Sequence, residues 1–143
     1  MTDTRLIMTA VIHASRFCQT GVRDGMDAAS GAALRKTLGM LLRELDSIES
    51  EAYTMAQSFG INFDGLPPLP HLLSAAKSRV RLHFHNSDSC VSELLIQIGT
   101  KTMVDLIKVR NRTVDSADTG TELLLHRLLG CINASIRSLQ AYL

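Results

Sequence analysis

Tryptophan is absent from this 143-residue chain, and two Tyr and four Phe are all of its aromatics. So little flat π surface leaves few platforms for stacking bases and weighs against a single-stranded nucleic-acid groove. Proline occurs three times, at Pro67, Pro68 and Pro70, all within four positions. Everywhere else the backbone is free to be helical. Cysteine is scarce and odd in number: Cys18, Cys90 and Cys131 lie far apart with no C-x-x-C pair, which fits neither a disulfide framework nor a zinc ribbon. Reduced thiols of a cytoplasmic protein are the reading that remains. A net charge of +1 excludes a surface that as a whole attracts nucleic acid or acidic lipid. Long apolar runs are missing too: residues 6–12 are interrupted by Thr9 and followed by His13 and Arg16, so they make neither a membrane span nor a good signal peptide. Nucleophile-elbow, P-loop and dinucleotide fingerprints are also lacking.

What is present is helical periodicity. With 45% hydrophobic and 20% charged residues, the chain is of ordinary globular composition and long enough for one domain, residues 1–143, to bury a full core. Over residues 31–59 the apolar positions Leu34, Leu38, Leu41, Leu45, Ile48, Ala52, Met55 and Phe59 alternate steps of four and three, the signature of one helix face. Ser30 is placed to cap its start and Gly60 to close its end in a left-handed conformation. Residues 4–24 carry a similar face (Leu6, Ile7, Ala10, Val11, Ala14, Phe17, Cys18, Gly21), and residues 25–31 read as the turn between two antiparallel helices.

Residues 60–70 form a stiff connector, after which a third helical region runs from His71 to about Arg112. That region is too long for its partners, and the capping-type residues Ser87, Asp88 and Ser89 predict a break near 85–89. The face then continues through Val91, Leu94, Leu95, Ile98, Thr102, Leu106 and Val109, and residues 113–118 turn. The last helix opens on the capping-box pattern Thr119-Gly120-Thr121-Glu122 and buries Leu125, Leu128, Ile132, Ser135, Leu139 and Leu143. The expected fold is an all-α, antiparallel up-and-down four-helix bundle.

Residues 87–97 (SDSCVSELLIQ) and the closing Ser138-Leu139-Gln140-Ala141-Tyr142-Leu143 resemble a family of uncharacterised ferritin-like four-helix-bundle proteins of Gram-positive bacteria, distantly similar to spore-coat type helical proteins. The resemblance implies a ferritin-like bundle and brings no activity with it. The family places a small residue after the Ile-Gln pair; here Ile98 follows Gln97 and glycine comes one position later, at Gly99.

A ferritin-like bundle raises the di-iron question, since such sites take inward-facing Glu and Glu-x-x-His ligands from four helices. No Glu-x-x-His occurs. The weak metal candidates are His13, Glu44, Glu93, Glu122 and His126, of which Glu44 lies off its helix stripe, as do Asp46, Glu49 and Glu51, and the Glu122/His126 pair lies beside its own. His83 and His85 share a side only in an extended segment, where His71 or Cys90 would join them; surface histidines are the simpler reading. The cysteines read as small core residues. Residues 66–114 carry seven Lys/Arg against three acids, a solvated face in the first instance.

The functional expectation is therefore a non-enzymatic structural or interaction bundle without catalytic residues or cofactor. The alternative is a ferritin-like metal-binding oxidoreductase or storage protein with degenerate ligands. A nucleic-acid binder using Lys101, Lys108, Arg110 and Arg112 is a weaker third reading, and membrane association is not expected. Surplus apolar residues on the first helix (Met8, Ile12) and the last (Leu124, Leu128, Cys131) predict a homodimer through those two helices, with Phe63 and Leu66 as further contacts.

Overall fold

The computed structural model describes residues 2–62, 87–113 and 117–143. These residues form four long helices, α1 (Thr2–Ala28), α2 (Ala32–Ser58), α3 (Asp88–Arg112) and α4 (Thr119–Leu139), and a closing 3-10 turn (Gln140–Tyr142). Among the described residues there is no strand, and the fold is an all-α four-helix bundle. Each helix is 21 to 27 residues long, about 30–40 Å at 1.5 Å per residue. None is long and apolar enough to cross a membrane. The expected helix from His71, the histidines His83 and His85, and Phe63 and Leu66 lie outside the described residues.

Side-chain pairs fix the helix directions. Gln19 of α1 donates to Glu49 of α2 at 2.8 Å, while Gly25 lies against Leu38, so α1 and α2 are antiparallel. Gly25 also meets Val91 and Leu95 at the start of α3, and Cys18 meets Thr102 further along it, so α1 and α3 are antiparallel as well. Gly120 of α4 packs on Met55, and Thr37 bonds Tyr142 at 3.0 Å, which opposes α4 to α2. Thr4 accepts the backbone N–H of Asp118, so α1 and α4 start at the same end and run parallel. In chain order the directions are up, down, down, up, and Asn62 and Ser87 stand at opposite ends of the bundle. Bundles with one such long crossover are a known alternative to strict alternation.

This order overturns the surface expected for dimerisation. The first and last helices are not edge neighbours: α1 packs between α2 and α3 and meets α4 across the bundle. A helix touched by three others needs a wide apolar arc, and α1 has no exposed residue between Ile7 and Val22. Met8 and Ile12 are fully buried, Leu124 is 3% and Leu128 0% exposed, and Cys131 is half-buried against the same core. The supposed surplus is interior.

The helix ends are chemically explicit. Ile61 N–H reaches Ala56 O and Gly60 N–H reaches Gln57 O, with Gly60 at φ +69°, a Schellman closure of α2 at the predicted glycine. Ser87 caps α3 by accepting from Cys90 N–H at 3.3 Å, where the break was expected. Three ends differ from expectation. Gly25 lies inside α1 and not in a turn, and a Cβ there would press on Leu95 and Val91 of α3. At α2 Gly31, not Ser30, is the cap residue, and it supplies no side chain. Asp88 of α3 reaches across to accept from Ser30 N–H, Ser30 Oγ and Gly31 N–H, and these bonds, led by that from Ser30 N–H, hold its carboxyl below the usual range. At α4 the cap is Asp118, one residue before the expected box, bonded to Thr121 N–H at 3.0 Å. Leu143, counted as core from its spacing, is 62% exposed because it falls beyond the last helical turn.

Candidate functional site

Between α1 and α3 the bundle surface opens into a groove of about 180 Å³. From α1 it is lined by Ala10, His13, Ala14 and Phe17, and from α3 by Lys101, Thr102, Asp105, Leu106 and Val109. Both sets repeat at three- and four-residue steps, so each is one helix face. The room comes from alanine: at positions 10 and 14, one turn apart, α1 presents methyl groups where larger core residues would meet α3. Phe17, Thr102 and Leu106 are buried in the floor, and the opposite charges of Lys101 and Asp105 are exposed at the rim.

The polar groups of this apolar groove are unequal. Thr102 Oγ1 donates to Ile98 O at 2.8 Å and is contacted by the Cys18 thiol, so it is satisfied. His13 Nε2 is inaccessible to solvent and has no hydrogen-bond partner. Burial, and then the charge of Arg16, lower the His13 pKa from its ordinary value of 6.5, so the imidazole is neutral at pH 7. Among the described residues the other buried side-chain atoms without a partner are Ser15 Oγ, Asp24 Oδ2 and Ser92 Oγ, and none of those residues lines the groove. An orphaned buried polar atom costs about 1–3 kcal/mol.

That lowered pKa has a sign. The unfolded chain binds the His13 proton near pH 6.5 and the folded chain only at lower pH, so stability is fully present above 6.5 and falls as pH drops through that window. Urea midpoints measured from about pH 7.5 down to 5.5 should fall more steeply for the wild type than for His13→Gln. Parallel curves would show that His13 does not carry the dependence.

The five metal candidates do not converge. Glu122 and His126 line one depression of mixed polarity with Arg110, Asn111, Ile7 and Leu125 where α3 ends and α4 begins. Glu44 is on α2, bonded to Arg127 Nε at 3.1 Å; Arg127 also binds Ser47 and Glu51 and thereby clamps α4 to α2. Glu93 is exposed near the start of α3, and His13 is in the groove. Glu49 is engaged by Gln19 and Arg16, and Arg16 also stands over the Tyr53 ring at 5.3 Å. Among the described residues no three His, Cys, Asp or Glu side chains are grouped to hold a metal ion.

The thiols are similarly structural. Burial pushes Cys18 up to about 12 and Cys131 up to about 11, which keeps both protonated and poorly nucleophilic. Cys90 is half-buried at the start of α3. Sequence reasoning placed Ala10, Ala14 and Phe17 in the core face and saw no groove there. The available signal was the pair of alanines one turn apart in an otherwise bulky stripe.

No protein family, curated protein or solved structure matches the chain.

Proposed function

We propose that the chain is a non-enzymatic helical bundle that works by binding, with the groove between α1 and α3 as its receiving surface. One observation carries this reading: a groove of about 180 Å³ opens between α1 and α3, with an apolar lining drawn from both helices and a histidine, His13, on its wall. Largely apolar pockets with a few polar groups and a perturbed titratable residue are the usual form of a binding site. The other prominent polar clusters, around Arg127, Glu49 and Asp88, are consumed in joining helices to one another.

Ferritin-like kinship, proposed from residues 87–97, is supported by the up, down, down, up order of the helices. A metal-dependent oxidoreductase or storage role gains nothing from the positions of Glu44, Glu49 and Glu51, which serve Arg127, Arg16 and Gln19. A cytoplasmic location follows from the reading of the cysteines as free thiols. Self-association, the other expectation for this chain, has the exposed Leu6 of α1 or Leu123 of α4 at its disposal in place of Met8, Ile12 and Leu124.

The test is site-specific cross-linking in the cells that make the protein. A photoreactive side chain at Lys101 or Val109, on the groove, should yield a discrete adduct by intact mass; one at Thr54, exposed on α2, should not. Equal capture at all three positions, or none at the groove, would contradict the proposal.

A further inference from the structure

A second opening lies apart from the groove, in the depression of about 370 Å³ where α3 ends and α4 begins. Arg110 and Asn111 come to its wall from the last turn of α3, and Glu122 and His126, one turn apart, from α4. The signs follow the helix poles, a cation near the carbonyl end of α3 and a carboxylate near the N–H end of α4. Thr113, also on the wall, is turned back on its own helix, donating to Val109 O at 3.0 Å. Among the described residues the side chains of Arg110, Asn111, Glu122 and His126 make no hydrogen bond or ion pair. Arg110 and Glu122 thus share one depression without closing on each other, whereas Arg16 stands 3.7 Å from Glu49 and Arg127 3.1 Å from Glu44. Arg110, Asn111 and His126 are exposed and Glu122 is half-buried, so a solute can reach all four.

We infer that this depression binds a small zwitterion of the α-amino-acid class, its carboxylate on Arg110 and Asn111 and its ammonium on Glu122. One cation and one anion held apart are matched by a molecule that carries one of each. A simple anion meets repulsion from Glu122 and a simple cation from Arg110. The guanidinium and the Asn111 amide offer N–H donors, which a carboxylate accepts, and the Glu122 carboxylate offers only acceptors, which an ammonium fills. The inference goes beyond the proposed function and is independent of the groove between α1 and α3.

The experiment titrates alanine and its two halves, propionate and ethylamine, into isotopically labelled protein and follows the Asn111 side-chain amide and the Thr113 methyl resonance. Alanine should shift both and leave the methyls of Leu143, exposed at the other end of the bundle, unmoved. Propionate and ethylamine should each bind at least about tenfold more weakly, because each forgoes one hydrogen bond between charged groups. Arg110→Gln should weaken alanine about tenfold and ethylamine not at all. Glu122→Gln should weaken alanine by a similar factor and propionate not at all. That crossed pattern is one that a general loss of fold would not produce. Absent shifts, alanine no tighter than its halves, or variants that weaken all three probes alike would overturn the inference.

Discussion

Leu124→Glu should unfold the chain, and should not separate two folded copies. Leu124 is 3% exposed and packs in the common core with Leu125, Leu128 and Leu129. Replacing it with glutamate removes a buried leucine, worth about 1.5–3 kcal/mol, and buries a carboxylate without a partner, a change of the kind that costs about 3–5 kcal/mol. The sum is comparable to the whole stability of an ordinary domain, about 5–15 kcal/mol. Circular dichroism at 25 °C should therefore show lost helix or a large drop in the urea midpoint. A variant that melts like the wild type but shows half its mass by light scattering would restore Leu124 to an interface between copies.

Gly25→Val is expected to destabilise the bundle at the point where three of its helices meet. A Cβ at position 25 would lie 3.1 Å from Leu95 Cδ1, 3.3 Å from Val91 Cγ1 and 3.5 Å from Leu38 Cδ1, at the place where α1, α2 and α3 meet. Alanine there needs small shifts of flexible side-chain ends and gains about 1 kcal/mol of helix propensity, so Gly25→Ala should be nearly neutral. Valine adds two methyl groups with no free volume to take them and should cost about 1–3 kcal/mol. Gly130, exposed within α4 with nothing within 4 Å of an added Cβ, is the control: Gly130→Ala should stabilise by up to about 1 kcal/mol. Equal effects of valine at 25 and 130 on the denaturation midpoint would mean that the helices do not approach closely at Gly25.

These residues show why some of the fold could be read from the sequence and some could not. The stripe of α2 was legible because Leu34, Leu38, Leu45 and Ile48 occupy one face at strict helical spacing and are all buried. Gly60 and Ser87 were legible because their roles depend on local backbone chemistry alone. Gly25 was misread because a glycine that breaks a helix and one that admits a neighbouring helix look alike until the neighbour is known. The same dependence on distant residues hid Asp88, whose carboxylate serves the start of α2 some 58 positions away. Met8, Ile12 and Leu124 counted as surplus on two-neighbour helices; with three neighbours each for α1 and α4, they are core. The groove was illegible for a related reason: Ala10 and Ala14 are apolar and half-turned toward α3, and only the distance to α3 turns small side chains into empty space.

An unfilled groove is stability forgone, which a binding site explains and a merely structural bundle does not. The direct measurement is calorimetric unfolding of wild type and Ala10→Leu, two residues of similar helix propensity. If the groove is kept open for a ligand, filling it should raise the unfolding temperature, by an amount equivalent to about 0.5–2 kcal/mol. An Ala10→Leu protein that melts below the wild type would contradict the account.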